Sequence, residues 1–222
     1  KVQFKKWMDY MQRVQDLPRT VTLKPVQLFR EGSLSYTLRP FAGGAGDNLR
    51  ARLAAVGAVC AVPATSAASA ASAASAPSSV RERMLGILQA LQQFHAAHWV
   101  HGNLKPENVI LVSEVACLSD PGLHLLYQGL PPEERALRLS DCARYHAPEV
   151  LQGGEPTTAS DVFSAGRILE DILAASPAGG TGNGAAKDKD ADDWVRRILP
   201  RMTAADPTER FPSAKEVIRE ME

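Results

Sequence analysis

The chain has no surplus of charge of either sign: 25 lysines and arginines stand against 25 aspartates and glutamates in 222 residues. That balance offers no global basic field to draw nucleic acid or an anionic membrane, and no acidic, self-repelling tail. Partners are therefore to be sought in local features, and proteins are the partners expected. Cysteine is scarce as well. Cys60, Cys117 and Cys142 are odd in number and irregular in spacing, which fits neither a disulfide framework nor a zinc site and favours a reducing, cytoplasmic compartment. No apolar run approaches the roughly 20 residues of a transmembrane helix, and no apolar signal segment opens the chain, so this segment is expected to make no membrane contact. The first residue is Lys1 rather than a methionine, which marks the chain as an expected excerpt of something longer.

What is present is a 45% hydrophobic sequence, long enough for one sizeable core or two small lobes. Phe4 to Val14 follows a helical period and ends before Pro18. Val21 to Phe29 and Leu34 to Leu38 flank the turn signal Glu31-Gly32-Ser33 and read as two antiparallel strands. Phe41 to Gly46 is a glycine-rich bend, and Asn48 to Val59 reads as helix. Ala64 to Ser79 is almost pure alanine and serine, with no large side chain to pack, and is expected to be a flexible insertion, a frayed helix being the alternative. Val80 to His95 places Met84, Ile87, Leu88 and Leu91 on one helical stripe. Val109 to Val112 and Val115 to Leu118 flank Ser113-Glu114 as a hairpin. A second buried helix carries Val162, Ala165, Leu169, Ile172 and Leu173, opened by capping candidates Thr157, Thr158 and Ser160. Ser176 to Asp190 reads as a soft loop, and Trp194 to Met202 and Ala214 to Met221 as two more helices around the Asp206-Pro207 turn. A small sheet followed by helices implies an α+β domain dominated by its helical part.

Five short motifs carry the chemistry. They are His101-Gly102-Asn103-Leu104-Lys105-Pro106-Glu107-Asn108, Asp120-Pro121-Gly122, Ala147-Pro148-Glu149, Asp161 within Ser-Asp-Val-Phe-Ser-Ala-Gly, and Asp206-Pro207-Thr208-Glu209-Arg210. In this order and at these gaps they resemble the catalytic loop, metal motif, end of the activation segment, central helix and closing motif of eukaryotic-type protein kinases. The resemblance implies a kinase-like fold, with residues 1–46 as a partial small lobe and hinge and residues 47–222 as the large lobe, interrupted by the tract at 64–79 and the loop at 176–190. It implies ATP and magnesium as cofactors, with Asn108 and Asp120 offering hard oxygens to the metal and Lys105 a point charge near the moving phosphate. His101, Asp161 and the pair Glu149 and Arg210 take structural roles in the same scheme. The carboxylate that should accept the hydroxyl proton is replaced: at that position Asn103 has an amide, which hydrogen-bonds but is no base at neutral pH.

Other departures point the same way. The loop arginine is Gly102, the phenylalanine of the metal motif is Pro121, and the threonine three residues before Tyr145 is Cys142. The glutamate expected on the regulatory helix falls on Trp7, with Asp9 close enough for a small shift of register to supply a carboxylate. The glycine-rich loop and phosphate-pairing lysine would lie before Lys1.

The resemblance thus implies a pseudokinase acting as a binding, scaffolding or regulatory module. A weakly active or unconventional Ser/Thr kinase is the alternative, because Lys105, Asn108 and Asp120 survive. The His-Gly-Asn form of the loop also resembles divergent plant receptor-like kinases, which leaves open the cytoplasmic part of a receptor-like protein. Plainer readings stand beside these. Asn103 can serve as an ordinary turn asparagine, Asp161 as an acid favoured at a helix start, and His95, His98 and His101 recur every third residue without sharing one helical face, which argues against zinc.

Overall fold

The computed structural model describes residues 2–18, 22, 27–31, 34–38, 48–60, 79–112, 115–128, 130–175 and 189–222. The predicted glycine-rich bend at 41–46, residues 64–78 of the alanine-serine tract and residues 176–188 of the predicted loop lie outside them.

Helix α1 (Val2–Val14) buries Trp7, Tyr10, Met11 and Val14 on one stripe, the 3–4 spacing that its sequence period dictates. Strands β1 (Gln27–Glu31) and β2 (Leu34–Leu38) pair antiparallel, Phe29 opposite Tyr36. Of the first expected strand, Val21 to Phe29, residues 27–29 lie in β1. Thr22 instead forms an isolated parallel bridge to Leu118, and its hydroxyl donates to the Leu118 carbonyl at 2.8 Å. Helix α2 (Leu49–Cys60) follows.

Helix α3 (Val80–Ala96) begins with a capping box: the Ser79 hydroxyl accepts from the Glu82 amide, and the Glu82 carboxylate accepts from the Ser79 amide. Beyond its end, His98, with a φ of 59°, turns the chain so that the Trp99 amide reaches the Phe94 carbonyl. Strands β3 (Val109–Val112) and β4 (Val115–Leu118) form the expected hairpin. Helices α7 (Thr158–Ala175), α8 (Lys189–Met202) and α9 (Ala214–Met221) complete the large lobe. Helix α8 begins a turn earlier than its apolar residues indicate, so the last two residues of the loop expected at 176–190 are helical.

One core runs through the described residues, from Trp7 and Met11 through Leu88, Leu91 and Phe94 to Ile168, Leu169, Ile198 and Met221. Because α3 and α7 cross inside it, both expose little surface and are fixed by packing on several sides. The segment between Asp120 and Thr157 was not resolved into elements by its pattern. It holds three short helices, α4 (His124–Tyr127), α5 (Pro132–Leu139) and α6 (Pro148–Leu151), and a 3₁₀ turn over Ser140–Tyr145. Their brevity explains the omission: four to eight residues are too few to display a clear period. The architecture is α+β, a partial small lobe of a helix and antiparallel strands above a mainly helical large lobe. No helix among the described residues is long and apolar enough to cross a membrane.

Candidate functional site

The loop from His101 to Asn108 is held from below by Asp161, buried in the first turn of α7. One carboxylate oxygen accepts the His101 amide at 2.7 Å, and the other accepts the Gly102 amide at 2.8 Å. The first oxygen also meets His95 Nε2 at 3.3 Å, while His95 Nδ1 accepts the Ala214 amide at 3.1 Å. This fixes the histidine tautomer, with the proton on Nε2, and ties α3, α7 and the start of α9 to the loop. Burial alone would raise the Asp161 pKa, but the hydrogen bonds and charges of His95, His101 and Gly102 outweigh it and hold the carboxyl below its ordinary value. His101 is wholly buried against Phe94, and desolvation lowers it to about 4. It is therefore a neutral core imidazole. His98 is exposed.

A second anchor lies below. Arg210 donates from both terminal nitrogens to the two oxygens of Glu149, each at 2.8 Å, and further to the carbonyls of Ala204, Ala205 and Ala159. Its side chain is fully buried, so a bidentate partner and saturated donors are what make its charge tolerable there. For Glu149 the burial penalty is overcome by the Arg210 hydrogen bonds, and its pKa is lowered.

Above these anchors Asn103, Lys105, Asn108 and Asp120 line one open cleft of about 180 Å³ together with Trp7, Pro121 and Leu123. The Asn103 side-chain amide donates to the Asp120 carbonyl at 3.1 Å, and the Asn108 amide donates to the Asn103 carbonyl at 2.8 Å. Asn103 thus ties the loop to Asp120, while Asn108 braces the loop on itself. Asp120 has a φ of 53°, a left-handed conformation uncommon for a residue with a side chain, which turns the loop towards the cleft. The donor set is hard oxygen from one carboxylate and one amide beside an ammonium. That set suits magnesium carried on a phosphate chain, where most ligands come from phosphate and water, so Asn108 and Asp120 fit the ion.

On α1, Trp7 is buried at the cleft wall, whereas Asp9 is exposed off the buried stripe. Tyr10 stands next to it, its hydroxyl donating to the Val100 carbonyl at 2.8 Å and its ring lying over Gly122. A Cβ on Gly122, where φ is 73°, would come within 2.5 Å of that ring. Gly102 is coupled to a residue that sequence reasoning missed. A Cβ there would meet His124 Nδ1 at 2.1 Å, so the imidazole occupies the place a side chain at 102 would need. Cys142 and His146, also missed as a pair, meet at 3.4 Å between Sγ and Nε2. Burial raises the Cys142 pKa, and burial followed by the Lys105 charge lowers His146 to about 4, so the contact is a neutral thiol on a neutral ring. Arg50 links Glu107 at 2.9 Å to the Tyr145 hydroxyl, which donates onward to Asp171. Burial, then the Asp171 hydrogen bond, pushes Tyr145 up to about 12. The Gly102–His124 and Arg50–Tyr145–Asp171 pairings could not be found from spacing, because each joins elements far apart in the chain, whereas Cys142 and His146 are four residues apart.

A sequence model described as protein kinase domain matches residues 62–221. An inactive leucine-rich repeat receptor-like serine/threonine-protein kinase of Arabidopsis thaliana is 30% identical over 123 residues, 53% of this chain and 19% of the relative. A membrane-associated tyrosine- and threonine-specific cdc2-inhibitory kinase of Caenorhabditis elegans is 37% identical over 84 residues, 37% of this chain and 12% of the relative. The matches therefore span about a fifth or less of these longer proteins. Among solved structures, the PknI kinase domain of Mycobacterium tuberculosis superposes with a TM-score of 0.60 at 17% identity, covering 97% of this chain and 78% of that one. At that identity the likeness speaks for the fold.

Proposed function

Because the chain belongs to the protein kinase domain family, with the fold assembled around its motifs, we propose that it is a pseudokinase domain whose cleft and surfaces serve binding, scaffolding or regulation in signalling rather than efficient phosphoryl transfer. The observation that carries this reading is Asn103. It occupies the loop position of the proton-accepting carboxylate, and its amide is committed to the Asp120 carbonyl. An amide accepts no proton at neutral pH, and loss of a positioned base typically costs about 10² to 10⁴ in rate.

The remaining groups retain binding chemistry. Asn108 and Asp120 would hold magnesium, and Lys105 would face the end of a phosphate chain. Bound magnesium neutralises charge on the phosphates. What this chain adds is orientation: Asp161 fixes the loop from below through two amide hydrogen bonds, the Asn108 amide braces the loop on itself, and the Asn103 amide ties it to Asp120. Trp7 puts an indole where an acid would pair with a phosphate-binding lysine, which weakens the grip on nucleotide. Named inactive relatives lend support, and protein partners follow from the binding reading.

A weakly active Ser/Thr kinase is the second reading, favoured by the joint presence of Lys105, Asn108 and Asp120 on one cleft. Transfer of labelled phosphate from ATP to a generic protein substrate separates the two. The expected outcome is no transfer above background. Turnover near the roughly 1 to 100 per second typical of kinases, abolished by Lys105→Ala, overturns the proposal. Thermal shift with ATP and magnesium reads the cleft independently: a ligand at 100 times its Kd stabilises by about 2.7 kcal/mol, and weak binding predicts a much smaller shift.

A further inference from the structure

Two left-handed residues in three, Asp120 with a φ of 53° and Gly122 with a φ of 73°, make the metal motif a sharp bend. Such a conformation at an aspartate is unfavourable by itself and persists where its surroundings over-determine it. Pro121 at the middle of the bend has no amide hydrogen to tie it down. The loop supplies two ties on either side of the proline: the Asn103 amide donates to the Asp120 carbonyl at 3.1 Å, and the Gly122 amide donates to the His101 carbonyl at 2.8 Å.

A third restraint comes from α1. The Tyr10 ring lies on Gly122, its Cδ1 and Cε1 each 2.5 Å from the place of a Cβ, so the absence of a side chain at 122 is what lets the two meet. The same ring meets Trp99 edge to face at 5.0 Å between centroids and stands 6.5 Å from His124. Its hydroxyl donates to the Val100 carbonyl at 2.8 Å, one residue before the loop begins. Burial, then the Asp161 charge, raises the phenol well above its ordinary pKa, so the hydroxyl remains a donor. One side chain thus touches the entry to the loop, the glycine that closes the metal motif and the first residue of α4. Trp7, one turn earlier on the same buried stripe, lines the cleft together with Asp120.

We propose that Tyr10 is the positioning residue of the cleft: from α1 it holds the bend at Pro121, and through the bend it holds the Asp120 carboxylate where a divalent cation binds. The cation half of this proposal rests on the reading of Asn108 and Asp120 as magnesium ligands, whereas the hold on the bend does not. The ring does the holding, because the ring and not the hydroxyl covers Gly122. A displacement of α1 therefore loosens the cation site without a change in any ligand.

Amide hydrogen exchange, followed by NMR on the isotope-labelled full chain, reads the bend. Tyr10→Leu, which removes the ring, should speed exchange at Gly122 by about tenfold or more, while the His101 and Gly102 amides held by Asp161 keep their rates. Tyr10→Phe retains the ring and should leave Gly122 within about twofold of the unmodified chain. Tyr10→Met takes the place of Tyr10→Leu if circular dichroism shows that variant to be unfolded. Manganese, through the resonances it broadens near Asp120, reads the cation site. Its Kd should rise about fivefold or more in Tyr10→Leu and less than about twofold in Tyr10→Phe. Unchanged exchange at Gly122 in Tyr10→Leu overturns the proposal. So does equal acceleration at Gly122, His101 and Gly102, which would make Tyr10 a general packing residue. Manganese that binds all three chains equally overturns the cation half and leaves the ligand reading intact. No broadening in the unmodified chain, or broadening that survives Asp120→Ala, overturns that reading and the cation half with it, while exchange at Gly122 still decides the hold on the bend.

Discussion

The anchors beneath the loop and the cleft above it have diverged to different degrees. Below, Asp161 with His95 and Glu149 with Arg210 form saturated hydrogen-bond sets in which every buried charge meets an opposite or polar partner. Above, Gly102, Asn103, Pro121, Cys142 and Trp7 all depart from the pattern of a working kinase, and three of these departures are accommodated by a neighbour: His124 over Gly102, the Asp120 carbonyl under Asn103, His146 against Cys142. Removal of an anchor exposes an unpaired charge in a core, whereas a change at the cleft alters chemistry and leaves the core packed. The difference teaches that a fold can keep its frame while the reacting groups drift, because the two draw on separate interactions.

The strongest way to break that contrast is at Arg210. Arg210→Met removes the fully buried cation and leaves Glu149 and three carbonyls without their donors, so unfolding free energy should fall by about 3–5 kcal/mol in urea titration. A loss under about 1 kcal/mol, the range of an exposed pair, would mean that the anchor is dispensable and the contrast false.

Acid tests the buried histidines and the anchor carboxyls at different pH. Burial depresses His146 and His101 to about 4 and also lowers His124, so the folded state binds fewer protons than the unfolded chain below the ordinary value of 6.5. Their stabilisation is fully present above about pH 6.5 and is lost as pH falls through about 4, with His146 alone contributing on the order of 3 kcal/mol. The depressed carboxyls of Asp161 and Glu149 behave with the same sign but lose their contribution only below the ordinary carboxylate range. Denaturant midpoints measured between pH 7 and about 4 should therefore decline, and His146→Phe should flatten part of that slope. An unchanged slope in that variant would remove His146 from the account.

The steric match of Gly102 with His124 is smaller in effect. Gly102→Ala places a Cβ against the imidazole and also forces a side chain into a φ of 67°, for a combined cost of about 2 kcal/mol. In the double variant with His124→Ala the clash disappears while the backbone strain remains, so about half the loss should return. Additive losses across that double-mutant cycle would show that the two residues do not share a space.

Legibility followed the same division. Helices α3 and α7 declared themselves because a long stripe of Met, Ile and Leu at 3–4 spacing has few other uses, and the motifs alone place Asn103, Lys105, Asn108 and Asp120 on one loop system. Helices α4 to α6 did not, being four to eight residues long, too short for a stripe to show. The choice between Trp7 and Asp9 needed the phase of α1 against the core, and Pro18 fixes only its end. His124 was invisible because its meaning lies in a missing Cβ 22 positions earlier, and a glycine in sequence does not say what fills its space.

The smallest expected effect is on activity, and it concerns the position whose chemistry is plainest. Asn103→Asp restores a carboxylate where a base belongs, which taken alone would recover about 10² to 10⁴ in rate. The surroundings work against that gain. The amide being replaced donates to the Asp120 carbonyl at 3.1 Å, and a carboxylate has no hydrogen to donate, so the new oxygen faces an acceptor and must rotate away or push the Asp120 loop aside. Trp7 still lines the cleft, Pro121 still sits beside Asp120, and groups that act as a unit do not recover singly. Phosphate transfer by Asn103→Asp should thus rise less than about tenfold over the unmodified chain. The comparison is made in one labelled-ATP assay with Lys105→Ala as the blank. A rise of about tenfold or more would show that the cleft is intact but for its base, and would favour the impaired-enzyme reading over the binding module.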